Sequence, residues 1–320
     1  MKIQSVHFYD EAQEVTNFRD EVVRSLRARP KRIPPKYFYD GRGSKLFEAI
    51  CLQPEYYLTR VETSILRSQL REIAAIANSD YVLIEFGSGA SRKVRLLLEA
   101  LRPEAYVAID ISREFLLQST RRLARDYPWL EVHAVCADIC QPLAPLSLPQ
   151  GQRRIGFFPG SSIGNFEPIE AREFLSGLRT LLGPQGLLLI GVDLKKDAQL
   201  LNVAYNDAAG LTAAFNLNLL ARMRRELCVE VEIEAFAHYA FYNETVGRIE
   251  MHLISRKAQR LRMDDMVFAF AQNESLHTEN SYKYTVSEFH ALSSAAGYVV
   301  ERTWTDPGTL FSVHLLRVSN

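Results

Sequence analysis

The sequence predicts an α/β protein: a doubly wound, Rossmann-like, largely parallel sheet joined to a second, mixed α+β domain. Three observations predict it. Near-continuously apolar segments of strand length alternate with helical segments between residues 81 and 194, the pattern of parallel strands covered on both faces. A glycine turn, GSG at 87–89, joins the first of these strands to a helix, as a nucleotide-type site requires. After Asp193 the alternation stops, and a helical stretch leads into segments that alternate like antiparallel strands, so a second body is expected there.

Taken in order, residues 1–30 read as an amphipathic helical lead-in, with Phe18, Val22, Val23 and Leu26 at helical spacing. The Pro-, Gly- and Tyr-rich KRIPPKYFYDGRGS then breaks the period. Helical periodicity returns from about Glu62 to Ile76, and a turn at Asn78-Ser79 leads to the strand YVLIEF at 81–86. The strands AYVAID (105–110), EVHAVCAD (131–138), RIGFFPG (154–160) and GLLLIGVDL (186–194) follow, with helices at about 113–127 and 170–182 between them. A helix near 285–296, the strand YVVERTW and the strand LFSVHLLRV close the chain as an antiparallel hairpin on the sheet. The expected division is 61–195 plus 285–320 for the sheet domain, and 1–60 plus 196–284 for the discontinuous second domain.

Composition narrows the function classes. The chain has 320 residues, 47% apolar, with 38 basic and 38 acidic side chains. This balance offers no basic surplus for nucleic acid or an anionic membrane, and fits a small zwitterionic partner better. The four cysteines form no CxxC pair, so they read as reduced core thiols of a cytoplasmic protein without a metal site. The start MKIQSVHFYDEAQEV lacks an apolar signal region, and the longest apolar run, GLLLIGV at 186–192, is too short to span a bilayer. His252 and His277 read as structural histidines, and RMRRE at 222–226 as a solvated helix face.

The sharpest local signal is IEFGSGASRK at 84–93. Gly87 and Gly89 supply the tight turn, and Asp110 ends the following strand, where a carboxylate can accept hydrogen bonds from both ribose hydroxyls. Asp138 ends the third strand and borders the same crevice. A dinucleotide site competes with this reading, yet Arg92 replaces the third glycine of GxGxxG. Glu85, just before the turn, suits a cationic ligand better than a pyrophosphate.

PPKYFYDGRGSKLFEAI (34–50), PEYYLTR (54–60), EFGSGASRK, GSSIGNFEP (160–168), AYNDAAGLTAAFN (204–216) and GRIEMHL (247–253) occur in that order. Through these blocks the chain, from about residue 30 to its end, resembles the histidine N-α-methyltransferases of ergothioneine biosynthesis. The resemblance implies a class I S-adenosylmethionine-dependent methyltransferase domain with an inserted substrate domain, and three successive methyl transfers to the α-amino group of L-histidine, giving hercynine. It implies cofactor contacts for Tyr56, Gly87, Ser88, Lys93, Asp110, Asp138 and Ile139, the last standing where the family commonly has an aromatic residue. For the amino acid it implies Tyr39, Asn165 and Tyr205 at the α-carboxylate and α-amine, the three catalytic candidates. It places Glu279 and Ser281 at the imidazole, Met251 lining the ring pocket, and Tyr56 shared between cofactor and substrate.

Phenols and an amide suit this chemistry, because they bind a zwitterion without fixing the amine as an ammonium, which must lose its proton before it attacks. Tyr39 and Phe47 are expected to face the growing methylammonium, since aromatic faces stabilise quaternary cations. No metal is expected, the protein is expected to act as a monomer, and no sulfur-inserting iron-dependent domain is expected on this chain. Methylation of tryptophan or a prenylated tryptophan is the alternative activity; a non-catalytic S-adenosylmethionine-binding module is the alternative of another class.

Overall fold

A computed structural model describes residues 6–10, 18–77, 81–141 and 153–319. The expected turn at 78–79, and the parts of the helical lead-in at 1–5 and 11–17, lie outside the described residues. The strands in chain order are β1 (His7–Asp10), β2 (Lys31–Arg32), β3 (Tyr81–Phe86), β4 (Ala105–Asp110), β5 (Glu131–Cys136), β6 (Arg153–Phe158), β7 (Leu187–Asp193), β8 (Phe236–Asn243), β9 (Arg248–Ser255), β10 (Gln259–Met263), β11 (Met266–Phe270), β12 (Ser275–Tyr282), β13 (Tyr298–Thr305) and β14 (Phe311–Val318). The α-helices are α1 (Phe18–Arg27), α2 (Gly41–Ile50), α3 (Tyr57–Ala77), α4 (Val94–Leu101), α5 (Arg113–Asp126), α6 (Pro168–Leu182), α7 (Ala198–Ala204), α8 (Leu211–Leu227) and α9 (Val286–Ala295).

Two compact units result. One gathers the described residues within Met1–Gln13, Leu58–Lys195 and Tyr282–Asn320; the other gathers those within Glu14–Tyr57 and Lys196–Ser281.

The first unit is built on a sheet of order β1-β5-β4-β3-β6-β7-β14-β13. Strands β1 to β7 of this sheet pair in parallel, while β14 pairs antiparallel with both β7 and β13. The order reverses at β3, so the carboxyl ends of β3, β4 and β5 border the crevice where such sheets receive ligands. Both faces are apolar because both are covered: Val82, Ile84, Phe86, Val107, Ile109 and Ile190 pack with Leu175 and Leu178 of α6 and Phe289 of α9. Each such side chain contributes about 1.5–3 kcal/mol by leaving water.

The N-terminal strand corrects the expected helical lead-in and its place in the second domain. Residues 7–10 form β1, parallel to β5 with His7 opposite His133. The His7 ring stacks on that of His133 at 4.9 Å. Four residues are too few to show a period, and their partner lies far along the chain, so local pattern could not reveal the pairing. Residues 58–60 and 282–284 likewise sit with the sheet unit.

The second unit carries a sheet of order β2-β12-β9-β8 and a separate β10-β11 hairpin. Strands β8 and β9 are antiparallel, with Ala240 opposite Met251. Helix α8 buries Phe215, Asn216, Leu219, Leu220 and Met223, a stripe at i, i+1, i+4, i+5 and i+8 that fits helical periodicity.

The expected solvated face RMRRE is partly engaged. Arg222 donates to the Tyr37 carbonyl at 3.0 Å, and Arg225 donates to the Asp40 carboxylate. The cysteines also need correction as core thiols: Cys136 is buried, Cys51 is half-buried, and Cys140 and Cys228 are exposed; none forms a disulfide. Among the described residues, no helix is long and apolar enough to cross a membrane.

Candidate active site

In the sheet unit, β3 runs into a turn that only glycine adopts without strain, Gly87 at φ +68° and Gly89 at φ +47°. The turn is tied to the next strand. Gly87 N and Ser88 N donate to the Ile109 carbonyl at 2.9 and 3.1 Å, and Gly89 N donates to Asp110 Oδ2 at 2.9 Å. Asp110 Oδ1 also accepts from Ser112 N at 2.9 Å. Burial raises the Asp110 pKa, and these backbone N–H groups oppose that shift by favouring the charged form.

Several features fit a nucleoside-type cofactor at this turn. A side chain built on Gly87 would meet no atom within 4 Å, so the turn faces open space. Among the described residues the buried Ser88 Oγ has no hydrogen-bond partner, and a buried hydroxyl without a partner is a costly arrangement unless a ligand supplies one. Asp138 accepts from Cys140 N at 2.9 Å in the turn after β5, and Ile139 packs on the edge of the core.

Glu85 is fully buried, and its carboxylate accepts from the Tyr106 hydroxyl. Burial pushes its pKa up to about 8, with Tyr106 and Lys93 opposing the rise. Burial therefore favours its neutral form far more than in a solvated carboxyl. Lys93 itself donates to Glu62, a residue of α3 that the sequence reading did not single out.

Asn165 ends the short 3-10 turn Ser162–Asn165, which follows Gly160 (φ +82°) and Ser161 (φ +60°). Ser161 Oγ accepts from Asp193 N at 2.9 Å, and Tyr282 Oη donates to Glu167 at 2.5 Å. The loop is thus held at its start by β7 and at its end by Tyr282.

The other amino-acid candidates lie in the second unit, where they form an aromatic cluster. The Tyr39 ring meets Phe47 edge-on at 5.7 Å, Phe47 meets Tyr56 at 6.2 Å, and Tyr56 meets Tyr205 at 6.2 Å. Phe215 touches both Tyr39 (5.6 Å) and Phe47 (6.0 Å). Burial raises the Tyr56 pKa well above its usual value, and nearby Tyr205, Cys51, Tyr39 and Glu279 add to the shift. Tyr56 therefore stays a neutral phenol.

Tyr205 caps α7 and donates its hydroxyl hydrogen to Ser281 Oγ at 2.9 Å. On β12 the alternation of side chains puts Glu279 and Ser281 on one face. Met251, on β9, is buried, and its carbonyl lies 3.0 Å from Thr278 Oγ1. Behind them, Asn216 donates to His238 Nδ1 at 2.9 Å and to the His252 carbonyl at 3.0 Å, and His238 Nε2 donates to the Tyr205 carbonyl at 3.0 Å. Asn216 as donor to Nδ1 sets the His238 tautomer, with its proton on Nε2.

Seven of the eight amino-acid candidates (Tyr39, Phe47, Tyr56, Tyr205, Met251, Glu279 and Ser281) belong to the second unit, and Asn165 belongs to the sheet unit. Of the cofactor candidates, all but Tyr56 belong to the sheet unit. Glu62, Phe215 and His238 were missed. A signal for Glu62 exists: it shares the buried stripe of α3 with Leu58, Ile65, Leu66 and Ile73, where a carboxylate is out of place.

Glu250, His252 and His277 bring potential ligand atoms within 4.8 Å of one another. The two imidazoles stack at 4.7 Å with planes 19° apart, so their in-plane lone pairs run side by side instead of converging on one ion. His252 Nε2 pairs with Glu250 at 3.1 Å and His277 Nε2 with the Glu279 carbonyl at 3.0 Å. Among the described residues, no hydrogen-bond partner meets the buried His252 Nδ1.

Residues 18–318 match the family model described as histidine-specific methyltransferase, S-adenosylmethionine-dependent. The chain is 42% identical over 303 residues to a histidine N-alpha-methyltransferase of Mycolicibacterium smegmatis, covering 93% of this chain and 94% of that protein. It is 40% identical to a histidine N-alpha-methyltransferase of Mycobacterium tuberculosis, with the same coverage. It is also 33% identical to ergothioneine biosynthesis protein 1 of Neurospora crassa, covering 95% of this chain and 35% of that longer protein.

Proposed function

The chain belongs to the family of histidine-specific, S-adenosylmethionine-dependent methyltransferases, and we propose that it methylates the α-amino group of L-histidine three times, giving hercynine for ergothioneine biosynthesis. The observation that carries the substrate reading is the hydrogen bond from Tyr205 to Ser281 inside the aromatic cluster, with Glu279 on the same strand face.

When bound, S-adenosylmethionine supplies the activated methyl group. What remains for the protein is to orient a neutral amine and exclude water. Asn165, Tyr39 and Tyr205 hold the zwitterion. Their neutral groups do not fix the amine as an ammonium, so its proton can leave before it attacks. Glu279 accepts from an imidazole N–H, and Ser281, whose oxygen takes the Tyr205 hydrogen, is the partner of the other ring nitrogen. Met251 lines the ring pocket. The faces of Tyr39, Phe47 and Phe215 suit the methylammonium that grows with each transfer. Gly87, Ser88, Lys93, Asp110, Asp138, Ile139 and Tyr56 hold the cofactor.

We further assign the chain to the cytoplasm as a monomer, which size-exclusion chromatography with light scattering checks. The decisive experiment incubates the protein with S-adenosylmethionine and the twenty amino acids at equal concentration, then reads the products by mass. Trimethylated histidine is expected. A methylated tryptophan would replace the substrate, and cofactor binding without any methylated product would make the protein a binding module.

A further inference from the structure

We propose that Glu62 is a positioning residue for both partners of the reaction, because its single buried carboxylate anchors Lys93 and the start of the loop that carries Asn165. The proposal rests on the reading that Lys93 faces the amino-acid end of the cofactor and Asn165 the histidine.

Glu62 has no solvent exposure, although it is charged and sits mid-helix. Such a group persists only when paired and hydrogen-bonded. Its partners come from two different loops. Lys93, at the end of the glycine turn, donates to Oε2, and Gly160 N lies 3.0 Å from each carboxylate oxygen. Gly160 has φ +82° and opens the turn that ends at Asn165. One carboxylate therefore fixes the direction of the cofactor-side ammonium and the start of the amino-acid loop.

The surroundings leave this carboxylate little freedom. A Cβ on Gly191 of β7 would stand 1.9 Å from Glu62 Oε1, so β7 has a glycine where the carboxylate crosses it. A glutamine at 62 is a poor replacement, since its amide oxygen brings no charge to the Lys93 ammonium and its NH2 group would face the Gly160 N–H. Lys93, with its side chain 16% exposed, would turn to water instead.

The test compares E62Q, K93M, the double variant and G191A with the wild type, all checked for cooperative melting. Calorimetry measures binding of S-adenosylhomocysteine and of methylthioadenosine, which lacks the amino-acid end. E62Q is expected to weaken S-adenosylhomocysteine about tenfold while leaving methylthioadenosine within about twofold, and the double variant should bind no more weakly than K93M. E62Q should also raise the KM for histidine, whereas K93M should not. G191A, which displaces the carboxylate without changing any charge, should repeat the E62Q pattern, and it serves if E62Q does not fold.

A lower melting temperature in E62Q and G191A with unchanged preference for S-adenosylhomocysteine and unchanged histidine KM would reduce Glu62 to a packing group and overturn the proposal. Unchanged S-adenosylhomocysteine binding in K93M would instead overturn the reading of Lys93 as a cofactor contact, and this proposal with it.

Discussion

Tyr205 and Ser281 share a buried hydrogen bond of 2.9 Å between the end of α7 and the end of β12. The bond commits the tyrosine hydrogen to the serine oxygen. Tyr205→Phe removes the donor but keeps the ring. The KM for histidine should rise about tenfold, from the loss of about 1–1.5 kcal/mol, while the dissociation constant for S-adenosylhomocysteine stays the same. An unchanged histidine KM would show that the pair is only structural.

Phe215 bridges Tyr39 and Phe47 in the aromatic cluster. Phe215→Leu keeps an apolar filler and removes a π face. Cation–π attraction grows in importance as the amine becomes quaternary, so the third transfer should slow more than the first, by about threefold to tenfold. Single-turnover rates for histidine and for its mono- and dimethylated forms measure this. Equal slowing of all three would assign Phe215 to packing alone.

Burial lifts the Glu85 pKa to about 8 from 4.5. Its folded-state pKa is raised, so the stability it contributes is full below about pH 4.5 and is lost as pH rises towards 8. Glu85→Gln removes this dependence and keeps an acceptor for Tyr106. The melting temperature of the cofactor-free variant should therefore exceed that of the wild type at pH 8 by about 4 °C or more, and fall level with it or below near pH 5. Identical profiles for the two proteins would show that Glu85 is ionised throughout.

His277 is displaced in the opposite sense. Burial, and then the neighbouring His252, depress its pKa from 6.5 to about 4. Here the stability contribution is present above pH 6.5 and is lost as pH falls through about 4, a change on the order of 3 kcal/mol. Denaturant unfolding between pH 7 and 4 should show this slope, and His277→Gln should flatten it. A slope unchanged by the substitution would place the acid sensitivity elsewhere, for instance at His314, whose pKa burial lowers to about 3.

Much of the sheet unit was legible because its strands are apolar on both faces. YVLIEF, AYVAID and GLLLIGVDL correspond to β3, β4 and β7, and the final two segments pair as the antiparallel β13-β14 hairpin on the sheet edge. Local pattern failed at β1, whose four residues carry no period and whose partner is β5.

The candidate site divides along the same line. The sequence by itself marked the GSG turn, because glycine adopts without strain the positive φ found at Gly87 and Gly89, and it marked the strand-end acid Asp110. The family resemblance carried by its longer blocks also marked Tyr39, Tyr56, Tyr205, Glu279 and Ser281 as expected site residues. Only the tertiary structure decided that Tyr205 meets Ser281, that Phe215 joins Tyr39 and Phe47, and that Glu62 serves both Lys93 and Gly160. These are contacts between residues far apart in sequence. A carboxylate or a ring has no partner until the chain folds, and it is burial together with the donors gathered around it that sets whether it is charged, neutral or simply packed.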